Sequence, residues 1–279
     1  ESASVLSATI GNMSAIRLGT RASTLATTQS EMVAGLLRSE GLDVNLTTIT
    51  THGDTSTASL AAMGGIGVFA SAIRAALLEG EADIAVHSFK DLPTGRPLGL
   101  AIGAVPARAD PRDALVARDG LTLHDLPQEA SVGTGSPRRA AQLLAVRPDL
   151  TIVDIRGNVD TRLGRVKGLG RYAKNGGKED LDAVVLAASG LARLGHSGAV
   201  TEFLDPSVVL PAPAQGALAV ECRTADSRHG KLAKALARID DRRTRLAATA
   251  ERAVLSHLEA GCAAPIGALA QLKPVSGKS

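Results

Sequence analysis

The sequence predicts an α/β protein with two similar lobes, each built on a mainly parallel sheet. Short apolar runs end abruptly in polar turns that lead into helices, and Asp83–Val86 is the clearest of these runs. The same order begins again after the Pro-, Arg- and Asp-rich segment 106–113, which is a natural domain boundary. Asp182–Leu186 then repeats the pattern of Asp83–Val86, so the two halves of the chain are expected to form the two lobes.

The composition favours a small anionic ligand over a nucleic acid or a membrane. Aromatic residues make up 1% of the 279 residues, too few for the stacking platforms that bind single-stranded nucleic acid. The net charge is +3, but the arginines occur in small groups, which suits a small polyanion better than a phosphate backbone. No apolar run approaches the roughly 18 residues that span a bilayer. No nucleic-acid or membrane partner is therefore expected.

The two cysteines, Cys222 and Cys262, could form one disulfide, but their surroundings differ. No secretory signal precedes them, which predicts a reducing, cytoplasmic location. Cys222 ends the apolar strand Ala217–Cys222 and is predicted to fill the core. Cys262 follows Gly261, a natural end for a helix, and its neighbours are small. Two interpretations of Cys262 remain at this point: a thiol accessible to a large ligand, or a buried structural cysteine.

The first half of the chain supplies the elements of lobe 1. Ser23 is a suitable N-cap for a helix that ends near Gly41. The glycine-rich segment Met63–Gly67 precedes a helix that runs to Leu78. The predicted strands are Ile16–Gly19, Val44–Thr50 and Asp83–Val86, and the apolar positions of the first helix include Met32, Val33, Leu36 and Leu37.

A polar group follows the strand Asp83–Val86 within the stretch Ala82–Thr94. Ligands of open α/β sheets bind beyond the carboxyl ends of such strands, so this is where chemistry is expected. Asp91, next to Lys90, could stabilise a cation, act as a general acid or base, or form a plain ion pair. The competing interpretation is a capped loop with a surface Lys–Asp pair.

The segment 133–139, Gly-Thr-Gly-Ser-Pro-Arg-Arg, predicts an anion site in the second half. Ser136 as N-cap with Pro137 at the first helical position is a strong helix start. Unpaired backbone N–H groups and two arginines, Arg138 and Arg139, then meet at one helix N-terminus. The segment is not a Walker loop, because no Gly-Lys-Ser/Thr follows.

The remaining segments complete lobe 2 and return the chain to lobe 1. The predicted strand Thr151–Ile155 delivers Arg156 and, near a helix start, Arg162. The Gly- and Lys-rich segment Gly168–Lys178 is expected to be disordered, and the proline-rich segment Leu210–Gly216 is expected to cross between the lobes. The last predicted helix begins at Thr244 and places Leu246, Ala250, Val254 and Leu258 on one face.

Six motifs in a fixed order resemble the porphobilinogen deaminase family, also called the hydroxymethylbilane synthases. They are IRLGTRASTLATTQ, HSFKDLPT, GTGSPRRAAQL, IRGNVDTRLGRV, PAPAQGALAVE and ERAVLSHLEAGCAAPIG, and the match extends from Ile16 to Ala270. The resemblance implies two α/β lobes similar to periplasmic binding proteins and a small α+β third domain with the cysteine loop. The expected organisation is a loose leader at 1–14, lobe 1 at 15–107 and 212–235, lobe 2 at 112–208 and a third domain at 239–279, shorter at its C-terminus than is usual in the family.

The resemblance also implies the reaction. Four porphobilinogen molecules are joined head to tail into linear hydroxymethylbilane, and ammonia is released at each step. A covalent dipyrromethane cofactor, held by a thioether to Cys262, primes the chain. Each pyrrole carries an acetate and a propionate, so the ligand is a polyanion that arginines can pair bidentately. The family is expected to act as a monomer, and no metal is implied.

The resemblance assigns roles residue by residue. Asp91 matches the catalytic aspartate, which stabilises the positive charge that develops on pyrrole nitrogens. Lys90 is expected to pair with ligand carboxylates, and Gln29 to support the lobe interface. The other residues expected to bind cofactor and substrate are Arg21, Ser23, Thr134, Ser136, Arg138, Arg139, Arg156, Arg162 and Arg193.

The sequence departs from the family pattern at two positions, and two other interpretations remain. Ile66 stands where many members have a lysine, and Gly135 replaces a common serine. Neither departure involves the expected catalytic carboxylate or thiol. A binding protein could hold a polycarboxylate in the same cleft, and a degenerate or shortened relative could fold without turnover. A covalent pyrrole on a cysteine would separate the enzyme from the binding protein.

Overall fold

The computed structural model describes residues 15–49, 67–95, 97–259 and 264–272. Within these ranges, strands form two sheets of five strands each, with α-helices packed around them. The strands are β1 (Ile16–Thr20), β2 (Val44–Thr48), β3 (Ile84–Ser88), β4 (Leu100–Ala104), β5 (Asp113–Ala117), β6 (Ser131–Gly133), β7 (Thr151–Val153), β8 (Ala183–Ala187), β9 (Glu202–Phe203) and β10 (Leu218–Arg223). The helices are α1 (Thr24–Ser39), α2 (Gly67–Leu78), α3 (Pro137–Val146), α4 (Val159–Leu163), α5 (Ala188–Arg193), α6 (Gly230–Ile239) and α7 (Arg242–His257).

The sheet of lobe 1 has the order β2-β1-β3-β10-β4. β1 pairs in parallel with β2 and β3, and Leu18 lies opposite Ile84. β10 reaches this sheet only after the chain has passed through lobe 2, and it pairs antiparallel with β3 and β4. Lobe 1 is therefore discontinuous in sequence, as the segment Leu210–Gly216 led us to expect.

The sheet of lobe 2 has the equivalent order β7-β6-β8-β5-β9. β6 pairs in parallel with β7 and β8, whereas β5 pairs antiparallel with β8 and β9. The prediction of an α/β protein with two similar lobes is confirmed. The prediction of mainly parallel sheets is confirmed as well, because four of the five strands in each sheet run in the same direction and only β10 or β5 is reversed. β5 and β10 each follow a crossing between the lobes and run against the strands beside them.

Helices on the sheets enclose the apolar cores. In lobe 1, α1 packs Val33 and Leu37 against Leu18 of β1. In lobe 2, β5 is buried on both faces, so Leu115 and Val116 belong to separate clusters on opposite sides of the sheet. Burial of one such leucine stabilises the fold by about 1.5–3 kcal/mol. No helix in the described ranges is long and apolar enough to span a membrane.

Two segments near the predicted polar turns are more ordered than expected. β3 extends to Ser88, beyond the predicted end at Val86, because β10 pairs with it as far as Leu218 opposite Ser88. The prediction that Gly168–Lys178 is disordered is wrong. This segment contains a 3₁₀ turn at Gly170–Tyr172, whose backbone N–H at Gly170 donates to Glu179 at 2.7 Å.

The predicted apolar face of the last helix is also wrong. Leu246, Val254 and Leu258 are exposed in the described structure. α7 instead packs through a different face, on which the buried Glu251 carboxylate binds Arg108 and the Ala214 N–H. The residues of that face are Thr244, Ala247, Ala248, Glu251 and Leu255. In α1, likewise, Val33 and Leu37 are buried but Met32 and Leu36 are exposed.

Two crossings, residues 105–112 and 210–217, connect the lobes and touch each other. The Ala109 N–H donates to the Gly216 carbonyl at 3.2 Å. Gly216 has φ +86°, and a Cβ there would lie 2.5 Å from the Ala109 oxygen, so only glycine fits. α7 lies on both crossings, since Glu251 accepts from Arg108 at 2.7 and 2.9 Å and from the Ala214 N–H at 2.6 Å.

Candidate active site

Asp91 lies at the end of a short turn that follows β3. Residues Phe89–Asp91 form one turn of 3₁₀ helix, with Phe89 buried and Asp91 exposed. We call residues 89–93 the Asp91 turn. Its carbonyls at Phe89, Leu92 and Pro93 accept from the Arg252 guanidinium of α7 at 2.7–2.8 Å. The carboxylate is thus presented to solvent from a backbone that is fixed by another element.

The start of α1 places three of the predicted residues in lobe 1. Arg21 follows β1, and Ser23 caps α1 by accepting from the Ala26 N–H at 3.3 Å. Gln29 is buried and its amide exchanges hydrogen bonds with the Ser88 hydroxyl at 3.0 and 3.2 Å. These bonds of Gln29 join α1 to the end of β3 inside lobe 1. Its expected support of the lobe interface stays a prediction.

Lys90 points from lobe 1 toward the crossing between the lobes. Its ammonium donates to Gln215 Oε1 at 3.3 Å. Burial lowers the pKa of Lys90, and the charge of Arg139 adds to this effect although Asp91 opposes it. Gln215 is fully buried, and its Nε2 donates to Asp113 and to the Pro111 carbonyl, both at 2.8 Å. Lys90 is therefore connected through one amide to the first residue of β5 in lobe 2.

Arg138 and Arg139 surround the buried carboxylate of Asp113. Arg138 Nη2 donates to Asp113 Oδ2 at 2.8 Å, and Arg139 donates to Oδ1 from Nε at 3.0 Å and Nη2 at 2.7 Å. Burial alone would raise the pKa of Asp113, but the two guanidinium charges outweigh it and hold the pKa at about 2. The predicted anion site at the start of α3 is thus already occupied by a carboxylate of the protein itself, that of Asp113. The assignment of both arginines to cofactor and substrate stays a prediction.

The turn that precedes α3 is tightly packed. Thr134 is buried and its hydroxyl accepts from the Ser136 N–H at 3.2 Å, while the Ser136 hydroxyl caps α3 at the Arg139 N–H at 3.5 Å. A Cβ on Gly135 would lie 2.6 Å from the Ile155 carbonyl oxygen. Gly135, a departure from the family pattern, is therefore required by this backbone. The binding roles of Thr134 and Ser136 remain predictions.

Three further arginines differ in their exposure and in their hydrogen-bond partners. Arg156 is exposed and lies 3.7 Å from Asp154. Arg162 donates to the Gly157 carbonyl at 2.8 Å, and burial, with the charge of Arg139, lowers its pKa. Arg193 donates from Nη2 to the Gly216 carbonyl at 2.7 Å.

Arg193 has a buried donor that none of the described residues satisfies. Its Nε lies out of contact with solvent and has no hydrogen-bond partner within the ranges that the structure covers. Burial lowers the pKa of Arg193 to about 10. An unsatisfied buried donor costs about 1–3 kcal/mol, so an acceptor on a bound ligand would relieve this cost. The observation fits a carboxylate-bearing ligand or cofactor.

The structure brings four of the predicted cationic residues to the crossings, whereas Arg156 and Arg162 have the local partners Asp154 and Gly157. Lys90 reaches Gln215, Arg193 reaches Gly216, and the pair Arg138–Arg139 reaches Gln215 through Asp113. Cys262 and Ile66 lie outside the described residues. In the part of the chain that the structure covers, no group of three or more His, Cys, Asp or Glu residues could hold a metal ion.

Several positioning residues were missed in the sequence analysis. Asp113 and Gln215 lie in the motifs Pro-Arg-Asp and Ala-Gln-Gly, where no local pattern predicts that they meet. Arg252 lies in an arginine-rich helix, and its partners are about 160 residues away along the chain. The one available signal was the doublet of charged residues Glu251 and Arg252 just ahead of the cysteine loop.

Comparison with known proteins identifies matches over both the lobes and the C-terminal part. Residues 16–231 match the family model described as "Porphobilinogen deaminase, dipyromethane cofactor binding domain", and residues 245–277 match "Porphobilinogen deaminase, C-terminal domain". The porphobilinogen deaminase of Micrococcus luteus is 57% identical over 93% of this chain and 74% of its own length. That of Leifsonia xyli is 58% identical over 92% of this chain and 76% of its own length.

The solved structures that this chain matches include periplasmic and nutrient-binding proteins, at TM-scores under 0.5. A periplasmic substrate-binding protein of an ABC transporter from Coxiella burnetii has a TM-score of 0.47 and 17% identity, over 85% of this chain and 95% of that one. A nutrient binding protein from Burkholderia cenocepacia bound to methionine has a TM-score of 0.45 and 16% identity, over 80% of this chain and 91% of that one.

Proposed function

Because the chain belongs to the porphobilinogen deaminase family, we propose that it joins four porphobilinogen molecules head to tail into linear hydroxymethylbilane and releases ammonia at each addition. The observation that supports this most directly is the exposed Asp91 carboxylate, which follows Lys90 on a turn that Arg252 holds by its backbone. Such a site combines recognition of a polycarboxylate with stabilisation of a cation.

Recognition of the substrate rests on the cationic groups. The acetate and propionate groups of porphobilinogen are acceptors for Arg21, Lys90 and Arg193, and the unsatisfied Nε of Arg193 supplies a donor already aligned in the protein. Ser23 at the start of α1 adds a hydroxyl on the lobe 1 side. Since guanidinium groups remain charged at working pH values, binding by Arg21 and Arg193 does not depend on proton uptake by these two residues.

Asp91 is the catalytic residue in this proposal. Positive charge develops on the pyrrole nitrogens of the reacting rings, and a fixed carboxylate beside them stabilises the charged state more than the neutral one. A carboxylate on a loose loop would lose much of this advantage, because it would have to reorganise as the charge forms. The bonds from Arg252 to the Asp91 turn restrain the backbone from which this carboxylate extends.

The dipyrromethane cofactor fits the donor set of lobe 2. We propose that Cys262 attaches it and that Arg138, Arg139, Arg156 and Arg162 hold its carboxylates, with Thr134 and Ser136 nearby. The cofactor supplies the terminal pyrrole to which the first substrate is added. Because Arg138 and Arg139 also donate from Nη1 to the Leu210 and Val185 carbonyls, a ligand carboxylate would have to share or replace one of their present acceptors.

The test combines intact mass with turnover. We expect the purified protein to carry the added mass of two linked pyrroles on the peptide that contains Cys262, and Cys262→Ala to lose it. Asp91→Asn should retain this mass and bind substrate, but lose turnover by about 10²-fold or more, by analogy with the removal of one charge-stabilising group in other active sites.

Asp125→Asn is the matched control. Asp125 is an exposed carboxylate of lobe 2 that bonds to Thr122, so its loss should leave turnover unchanged. Near-normal turnover in Asp91→Asn would contradict the assignment of the catalytic residue. A chain that binds porphobilinogen without consuming it would support a binding protein instead.

The proposal also covers the state of the protein. We propose that it acts as a monomer in the cytoplasm, with no nucleic-acid, membrane or metal partner. We also propose the domain limits expected above, with lobe 1 at 15–107 and 212–235, lobe 2 at 112–208 and a third domain at 239–279. Light scattering after size exclusion tests the first point, because a dimer would double the mass of 28.4 kDa.

A further inference from the structure

Arg252 connects α7, the helix that precedes Cys262 in the sequence, to the turn that carries Asp91. It lies on α7, and its Nη1 donates to the Phe89 and Leu92 carbonyls, both at 2.8 Å. Its Nη2 donates to the Pro93 carbonyl at 2.7 Å. The same guanidinium lies over the Phe89 ring, 4.5 Å from its centre. One side chain therefore engages three carbonyls and one ring of a five-residue turn.

The side chains of Phe89 and Leu92 anchor the Asp91 turn in the core, whereas its backbone hydrogen bonds are weak or limited to one end. Its own closing bond, from the Leu92 N–H to the Phe89 carbonyl, is 3.4 Å long, and Pro93 has no N–H to donate. β3 ends at Ser88, so sheet pairing fixes only the start of the turn, where the Phe89 N–H donates to Ala217 at 3.0 Å. Beyond Phe89, the hydrogen bonds of Arg252 connect the carbonyls of Leu92 and Pro93 to α7.

α7 is itself firmly anchored beside Arg252. The adjacent residue, Glu251, is buried and binds Arg108 of one crossing and the Ala214 N–H of the other. It also accepts from the Ala270 N–H at 2.9 Å, in the segment that follows Cys262 in the sequence. Arg252 therefore holds the Asp91 turn against a helix that is itself anchored.

We propose that Arg252 is the positioning residue for Asp91, and that it holds the catalytic turn in register with the helix that leads to Cys262. It acts through the backbone of residues 89–93 and does not touch the substrate. The effect on turnover rests on the proposed function, whereas the effect on the turn is a property of the fold alone. Removal of Arg252 should therefore slow the chemical step while leaving the binding arginines in place.

The experiment compares Arg252→Met with Arg245→Met in the full chain. Arg245 is a matched control because it also extends from α7 to backbone carbonyls of lobe 1, at Ile102 and Gly103, but these lie in β4. Backbone hydrogen exchange at residues 89–95 is measured by mass spectrometry, together with kcat and KM for porphobilinogen. Arg252→Lys, which keeps the charge but loses the planar fork, is the conservative variant.

We expect Arg252→Met to speed exchange at residues 89–95 and to lower kcat about 10²-fold with KM within twofold, the effect of a displaced catalytic group. Arg252→Lys should recover part of this loss, and Arg245→Met should leave both exchange and kcat unchanged. Unchanged exchange in Arg252→Met would overturn the proposal, as would a rise in KM alone or an equal loss of kcat in Arg245→Met. If the unsubstituted chain does not turn over, the proposed function fails, and the exchange data alone decide the role of Arg252 in the turn.

Discussion

The buried Asp113 carboxylate gives the sharpest test of how lobe 2 is held together. The change is Asp113→Asn, which keeps the size of the side chain and removes its charge. Asp113 is fully buried and accepts four hydrogen bonds, from Arg138, Arg139 and Gln215. Its substitution leaves two buried guanidinium groups without a counter-charge, so we expect a loss of about 3–5 kcal/mol in the free energy of unfolding.

The pKa of Asp113 gives an independent measure of how much its charge stabilises the fold. A fall from the ordinary value of 3.8 to about 2 in the folded state corresponds to about 2 kcal/mol of stability. Because the folded-state pKa is the lower one, this contribution is fully present above pH 4 and is lost as the pH falls through about 2. The loss expected for Asp113→Asn is larger than this 2 kcal/mol, about 3–5 kcal/mol, because the substitution also leaves Arg138 and Arg139 buried without a counter-charge.

The assay is urea unfolding followed by circular dichroism at pH 7 and at several values between pH 4 and pH 2. The difference between Asp113→Asn and the unsubstituted chain should shrink over that acidic range. Asp149→Asn is the control, because Asp149 also pairs with an arginine, Arg147, but nearer the surface, where solvent screens the pair. An equal loss in both variants, or a loss for Asp113→Asn that is independent of pH, would refute the reasoning.

Three further changes test neighbouring features. Gly135→Ser should destabilise the fold by about 1–3 kcal/mol, because its Cβ would lie 2.6 Å from the Ile155 oxygen; an unchanged unfolding midpoint would contradict this. Burial raises the pKa of Cys222 to about 11, so its thiol should resist a thiol reagent at pH 8 until urea unfolds the chain; rapid labelling in the folded state would show an accessible thiol. Gln215→Met should raise the KM for porphobilinogen severalfold, because Lys90 loses its 3.3 Å acceptor; steady-state kinetics that match the unsubstituted chain would contradict that role.

The sequence was sufficient for elements with strong local signals. Ser136 with Pro137 predicts the start of α3, and the structure shows the Ser136 hydroxyl as the N-cap. The repeat of Asp83–Val86 in Asp182–Leu186 correctly indicates the equivalent strands β3 and β8. These features are determined by neighbours in sequence, so a linear pattern contains them.

Contacts between residues that are far apart in the sequence could not be predicted from it. Arg138 and Arg139 indicate an anion at the start of α3, yet the sequence does not show that Asp113 already fills this role. The direction of β10 is set by the long path through lobe 2 and has no local signal. The buried face of α7 was misjudged because its packing depends on Glu251, a residue that periodicity assigns to the surface.

The central place of β10 in the first sheet has a consequence for synthesis of the protein. Strands β5 to β9 are contiguous, from residue 113 to residue 203, so lobe 2 can complete its sheet as soon as that stretch has left the ribosome. The first sheet, in contrast, has a gap between β3 and β4 until residues 218–223 emerge. Domains generally fold as units, in the order of synthesis. Here the N-terminal lobe should nevertheless be the later of the two to fold, and a chain stalled before residue 218 should expose two unpaired strand edges to chaperones or to aggregation.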